Sequence, residues 1–399
     1  MGVGTLDKGE VRGRLTVHHK INDLTINHLT YTQKAVTRTI VLALLLLSSI
    51  TAFAQTDTTM SASPEVRFEG FADIFYAYDF NKPAVGYRQP FLYNHNRHNE
   101  FNLNLGLARA AVEHNRYRGA LALQVGTYAS DNYAAEEEVM RHVFEANAGI
   151  ALDRQAKLWL DAGIMGSHIG FESAISADNL TLSRSLLAEN SPYFLSGAKF
   201  SYSPTPNWTL AALVVNGWQR IRRVPGNSLP SFGTQVNYAP HDNLTFNWST
   251  FIGTDDPDAT RRMRYFNNFY GQFGLGEKYT LIAGFDIGVQ QESKGSSHYH
   301  TWYSPVLIAQ YKLSDIWAIA ARAEHYSDRN EVIITAPVST NGFRASGLST
   351  NVDYHPHPNV VCRVEARWLK GRGNIFEKEE TATSNNFTLL SSIAIRLRK

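Results

Sequence analysis

The chain has 399 residues, with 38 Lys+Arg against 36 Asp+Glu and a formal net charge of +2, so it carries no basic footprint for nucleic acid. Charged residues make up 19% and aromatics 12%, and the single cysteine, Cys362, excludes an internal disulfide and a multi-cysteine zinc or iron–sulfur site. Mean hydropathy is −0.27 with one strongly apolar run, which excludes a polytopic helical membrane protein.

That run, Ile40 to Ile50, is too short to span a bilayer as a helix. Lys34 and Arg38 precede it and Ala52-Phe53-Ala54 follows, which together describe a secretory signal peptide cut between Ala54 and Gln55. The expected organisation is an N-terminal extension over 1–34 foreign to the mature protein, a signal peptide over 35–54, a polar linker over 55–65 and a β-barrel over 66–399.

From Val66 onward apolar residues recur with period two, the signature of strands. Val66, Phe68, Ile74, Tyr76 and Tyr78 alternate with Arg67, Glu69, Asp73 and Asp79. The same alternation sets Phe101, Leu103, Leu105 and Leu107 against Asn102 and Asn104, and Leu121 and Leu123 against Gln124. It returns over Leu158–Ile164, Leu281–Val289, Val360–Trp368 and Phe387–Leu397.

Short polar turns are expected at Glu113–Arg116, Asp153–Lys157, Ser203–Asn207, Ala239–Asn243, Gly274–Lys278, Lys312–Asp315 and His355–Asn359. Longer loops, near 81–98, 129–141, 166–193, 217–230, 253–263, 290–300, 327–342 and 370–385, lie between them and never next to one another. This alternation predicts an all-β, transmembrane antiparallel β-barrel of about sixteen strands, with short periplasmic turns and long extracellular loops. Tyr76, Tyr78, Trp159, Trp208, Trp248, Trp302, Trp317 and Trp368, near strand ends, suit the headgroup belts.

A ring of that size leaves an aqueous lumen. Parity places Asp73, Arg118, Gln124, Asp161, Asp286, Arg322, Glu324, Arg363, Glu365 and Arg367 along it. The last five either set a transverse field or pair with one another and hydrate the wall. The longest loop, Gly166 to Tyr193, is apolar enough to pack on itself. It either caps the barrel as a lid or turns inward as a constriction, with Glu172, Asp178, Arg184 and Glu189 at the narrowest point.

Several runs resemble the OmpL-like β-barrel porin family of Bacteroidetes: GFADIFYAYDFNKP (Gly70 to Pro83), PFLYNHNRHNEFN (Pro90 to Asn102), GTYASDNYAAE (Gly126 to Glu136), Ser167 to Lys199, NGWQRI (Asn216 to Ile221) and RRMRYFNNFYGQF (Arg261 to Phe273). The resemblance implies an outer-membrane porin of a Gram-negative bacterium and supplies no catalytic or ligand residues. Its implied partners are outer-membrane lipid, small hydrophilic solutes and the barrel assembly machinery, with a homo-oligomer left open. The ending Ile395-Arg396-Leu397-Arg398-Lys399 departs from the terminal aromatic such barrels present to that machinery.

No Gly-rich phosphate loop, GxSxG elbow or HExxH motif is present, and no cofactor or enzymatic activity is expected. The pairs His298/His300 and His355/His357, and His95 and His98 in the first loop, read as solvated loop histidines. A rim hydrolase built on Ser167-His168 and a closed structural or adhesive barrel are the alternatives to a channel.

Overall fold

A computed structural model describes residues 63–84, 86–338 and 342–398. The 1–34 extension, the signal peptide with its cut at Ala54/Gln55 and most of the 55–65 linker lie outside the described residues.

The described chain forms one closed antiparallel barrel of sixteen strands. In chain order these are β1 (Glu65–Asp79), β2 (Phe101–Glu113), β3 (Tyr117–Val125), β4 (Val143–Ala151), β5 (Leu158–Gly166), β6 (Phe194–Thr205), β7 (Trp208–Val215), β8 (Ser231–His241), β9 (Leu244–Gly253), β10 (Arg264–Leu275), β11 (Tyr279–Gln291), β12 (Tyr299–Lys312), β13 (Trp317–Asp328), β14 (Phe343–His357) and β15 (Val360–Gly371). A small hairpin, β16 (Phe376–Lys378) and β17 (Thr381–Thr383), decorates the last long loop before β18 (Asn385–Arg398). β18 pairs with β15 on one side and with β1 on the other, from Glu69↔Arg398 to Asp79↔Thr388. That last pairing leaves no edge, as hydrocarbon requires, because a free N–H or C=O finds no partner there.

The burial pattern is inside-out. Along β1 the even positions face outward and the odd ones inward, so Ile74 is 52% exposed while Asp73 is fully buried. On β15, Val364 and Trp368 point out while Arg363, Glu365 and Arg367 are buried. A sheet with apolar residues outside and charges inside is stable only when its outer face meets lipid. At the turn end, outward aromatics stack in cross-strand pairs, Trp208–Tyr238 at 4.3 Å, Trp317–Tyr354 at 4.6 Å and Tyr279–Tyr311 at 4.7 Å. They form the expected interfacial girdle.

Three expected turns are tighter than their polar sequences imply. β6, β8 and β14 run on to Thr205, His241 and His357, leaving two-residue turns at Pro206-Asn207, Asp242-Asn243 and Pro358-Asn359. Each strand shifts register just before its turn, at Tyr202/Thr205, Tyr238/His241 and Tyr354/His357. Those intervals contain Pro204, Pro240 and Pro356, which lack the N–H a regular ladder needs and are tolerated at a bulge.

A further bulge corrects the reading of β2. The register with β1 slips between Asp73 and Ile74, so Leu105 and Leu107 face inward while Phe101 and Leu103 stay outside. The extra residue, Asn104, is fully buried and turns its amide inward to Asp73 at 3.3 Å. Two of the expected girdle tryptophans also face in. Trp302 shares its parity with Ser304 and Val306 and is 1% exposed, and Trp159 lies under the Arg118 guanidinium at 4.3 Å.

Val364 provides the test of this topology. Val364→Arg places a charge on the lipid face and should cost about 2–4 kcal/mol in reversible unfolding of the barrel in lipid vesicles. A loss below about 0.5 kcal/mol would place Val364 in water.

Candidate functional site

The loop after β5, residues 167–193, does not extend into solvent. It enters the barrel, and residues 181–192 are all buried. Its entry is shaped by two lumen-facing glycines on the wall it first meets. A Cβ on Gly233 of β8 would come within 2.8 Å of the His168 ring, and one on Gly284 of β11 within 2.6 Å of the Phe171 ring. Both side chains therefore sit where only glycine leaves room. His168 Nε2 donates to the Thr250 carbonyl at 2.9 Å, and burial pushes its imidazole down to about 4, keeping it neutral. The Gly170 N–H donates to Asn268 Oδ1 at 3.1 Å, and the Asn268 amide donates to Asp286 at 2.6 Å.

The loop is then held on β13–β15 by a buried charge network. Arg322 pairs with Glu365 at 2.9 Å and with Glu324 at 3.4 Å, Arg367 pairs with Glu324 at 2.7 Å, and Arg363 pairs with Asp353 at 3.1 Å. Three arginines thus face three carboxylates. Each pair spends its remaining hydrogen-bonding capacity on the loop. Ser183 donates to Glu365 through its N–H at 2.6 Å and its hydroxyl at 2.7 Å, and the Leu186 N–H donates to Glu324 at 2.7 Å. Arg322 donates to the Ser183 carbonyl at 2.6 Å, while Arg363 donates to the carbonyls of Ser176 and Asn179, each at 2.7 Å. The Leu182 N–H reaches Asn351 on β14 at 3.1 Å. In so dry a place an unpartnered charge would be very unfavourable, so the network stands only with the loop seated.

The loop's own charges do not line an open aperture. Arg184 is fully buried and brackets the loop by donating to the carbonyls of Ser173, Ala174 and Leu182 at 2.6–3.0 Å. Glu172 accepts from Ser185, and Glu189 accepts from the Tyr93 N–H at 2.9 Å and the Asn94 amide at 3.0 Å. Burial raises the pKa of both carboxyls. Asp178 sits at the margin, bonded to Arg396 of β18 at 2.5 Å. The first long loop packs onto this assembly, with Phe91 and Leu92 buried in the same apolar cluster as Leu186, Trp302 and Phe343.

That packing overturns the solvated reading of His95. It is fully buried, with Nε2 at 2.8 Å from Asp73 and its N–H donating to Asn104 at 2.9 Å. His98 is likewise engaged, its Nδ1 accepting from the Asp79 N–H at 3.0 Å. The lumen is therefore not empty toward the loop end, where inserted chain fills what the wall's side chains cannot.

The β2–β6 wall keeps most of its charges partly accessible, with only Asp161 buried. A cavity of about 360 Å³ is lined there by Arg109, Glu113, Arg118, Glu145, Asp161 and Lys199, and it reaches Gly166 and Ser167 at the loop end of β5. Arg118 forms a two-pronged pair with Asp161 at 2.5–2.6 Å, and Arg109 bridges Glu145 at 2.8 Å and Glu69 at 3.4 Å. Gln124, of the same inward parity, is committed to the Arg141 carbonyl at 2.8 Å.

The residues singled out by parity thus fall into two groups. Arg322, Glu324, Arg363, Glu365 and Arg367 are gathered under the loop together with Asp353, Asp73 is buried against His95 of the first loop and Asp286 against Asn268 of β10, whereas Arg118 and Asp161 line the polar cavity. Sequence reasoning missed Gly233 and Gly284, whose inward parity is a usable signal, and Asn268 and Asn351, whose partners lie far away in the chain. Ser167 and His168 form no nucleophile–base pair, since Ser167 Oγ accepts from the Ile169 N–H while His168 Nε2 is bound to Thr250. Among the described residues no group of three His, Cys, Asp or Glu is placed to hold a metal ion.

Residues 65–397 match the family model described as "Putative beta-barrel porin-2, OmpL-like". The chain belongs to this family. It is an outer-membrane, porin-like barrel of the Gram-negative envelope, which places the turn end at the periplasm and the long loops outside. Comparison with curated protein sequences gives no match. Among solved structures, the anion-selective porin from Comamonas acidovorans superposes with a TM-score of 0.56 at 8% identity, over 84% of this chain and all of that one. The outer-membrane channel DcaP of Acinetobacter baumannii gives 0.55 at 10% identity, over 83% of this chain and 97% of that one. OmpT of Vibrio cholerae, in its trimer form, gives 0.54 at 10% identity, over 84% of this chain and all of that one. At such identities the likeness is one of fold.

The glycine sockets supply a test of the porin's inserted loop. Gly284→Leu should expel Phe171 and loosen the loop, so that trypsin cuts after Arg184 in the folded barrel while the parent resists. Equal resistance in both proteins would mean that Gly284 does not seat the loop.

Proposed function

We propose that this porin is a passive, size-limited channel for small hydrophilic solutes, narrowed by the 167–193 loop. The observation that carries the reading is the asymmetry of the lumen: one wall is spent on holding the loop, while the β2–β6 wall presents Arg109, Arg118, Glu145, Asp161 and Lys199 to a polar cavity. A solute moving along that wall exchanges its hydration shell for alternating cations and anions, a route that penalises bulk more than the sign of charge. The pairs Arg118–Asp161 and Arg109–Glu145 leave little net field, whereas Lys199 contributes its positive charge with no hydrogen-bonded anion of its own among the described residues. In this reading Arg118, Asp161 and Lys199 line the pore, and the buried ladder of Arg322, Glu324, Arg363, Glu365 and Arg367 fixes its width from behind the loop. The protein carries out no chemistry. Outer-membrane lipid and the barrel assembly machinery are the partners the reading requires, and a homo-oligomer is compatible with it.

Planar-bilayer recording of refolded protein tests the proposal. The parent should give small, stable open steps, and deleting residues 172–188 should raise the unit conductance severalfold. Silence from a folded barrel would overturn the channel, and an unchanged conductance after deletion would remove the loop from the pore. Lys199→Glu should shift the reversal potential in a KCl gradient toward cation preference, and no shift would place the ion path elsewhere.

A further inference from the structure

Three arginines stand together at the extracellular rim with no ion pair among the described residues. Arg329 follows β13, Arg344 opens β14 and Arg372 follows β15, on three neighbouring strands. Their backbones are in register: Asp328 lies opposite Phe343, and the Arg372 N–H donates to the Arg344 carbonyl at 3.0 Å. The charges of Arg329 and Arg372 repel that of Arg344, and among the described residues no carboxylate acts on Arg344. Its Nε is buried without a hydrogen-bond partner. Other loop arginines have partners, carboxylates for Arg262 and Arg97 and backbone carbonyls for Arg141 and Arg223. A cluster held together against its own repulsion points to an anion that completes it.

The direction in which the cluster faces selects the anion. Arg344 alternates along β14 with inward Phe343 and Ala345, so it shares the outer face with Ser346 and Leu348. Lys370, on the same outer face of β15 as Trp368, sits opposite Ser346. Immediately below, still on the outer face, lies an apolar groove of about 510 Å³, floored by Ala309, Ala321 and Ala366 and walled by Leu348, Trp368 and Phe387. From Arg344 to Leu348 is four residues of strand, about 13 Å, so cations at the headgroup level stand over a trough at the depth of acyl chains. A free anion bound for the pore would need the cluster to face the lumen, and it does not.

We infer that Arg329, Arg344 and Arg372, with Lys370 at their edge, bind the phosphate of a phosphorylated glycolipid in the outer leaflet, one of whose acyl chains lies in the groove below. The inference concerns the outer face and is independent of the solute path.

The test titrates the refolded porin in detergent micelles with three probes: phosphorylated lipid A, the same lipid with its phosphates removed, and inorganic phosphate. The parent should prefer phosphorylated lipid A to both others by at least tenfold. R329Q/R344Q/R372Q should weaken it tenfold or more, and R372Q alone severalfold, with the heat-modifiable gel shift showing that each variant is folded. A321F, which fills the groove, should weaken lipid A and leave the binding of inorganic phosphate unchanged. Equal binding of the dephosphorylated lipid, inorganic phosphate binding as tightly as lipid A, or unaltered lipid A binding by the folded R372Q variant would each overturn the inference. Channel conductance in the same preparations reports separately on the pore.

Discussion

The structure depends on what happens to charge inside a lipid-facing ring. Arg322, Arg363 and Arg367 are buried on one wall with Glu324, Asp353 and Glu365, and three paired ions on each side do not satisfy all their donors and acceptors by themselves. The backbone of the 167–193 loop completes them, supplying N–H groups to the carboxylates and carbonyls to the guanidiniums. Neither partner is stable alone in that position. A bare ladder would leave desolvated charges, and a free loop would expose Leu186 and Leu187 to water. Removing one side chain of such a network typically costs about 3–5 kcal/mol, enough to release the loop while the barrel persists.

The division of labour between the walls follows. Strands β8–β11 provide shape, through the sockets at Gly233 and Gly284, and β13–β15 provide charge. With the loop fixed at both sides, the remaining space lies along β2–β6, where ion pairs are partly exposed and can exchange partners with water or solute. The outer face obeys a different rule. It is mostly apolar across the hydrocarbon zone, with a few uncharged polar side chains such as Thr350, and the cluster of Arg329, Arg344 and Arg372 stands at its extracellular margin.

Much of the fold was legible because a membrane barrel writes two periods into its chain, alternation along each strand and alternation of turn length between strands. The parity of Arg363, Glu365 and Arg367 against Val364 and Trp368 needed no tertiary information. What stayed hidden were departures from the period and contacts across it. Asn104 shifts the phase of β2 by one residue, and Pro204, Pro240 and Pro356 carry strands onward through polar sequence that reads as turn. His95 has the composition of a solvated loop residue, and only the fold brings Asp73 to it. The inward path of the longest loop was open in the sequence because its partners, Asn268, Asn351 and Glu365, lie many residues away. Those same contacts turned residues expected to border water into buried anchors.

The central claim, that the loop is a fixed part of the lumen rather than a lid, is tested most directly by hydrogen–deuterium exchange on the refolded barrel. The account expects the amides of Leu182, Ser183 and Leu186 to exchange as slowly as those of β13–β15, since each donates to a side chain of that wall. Exchange as fast as that of the outer loop 292–298 would contradict it.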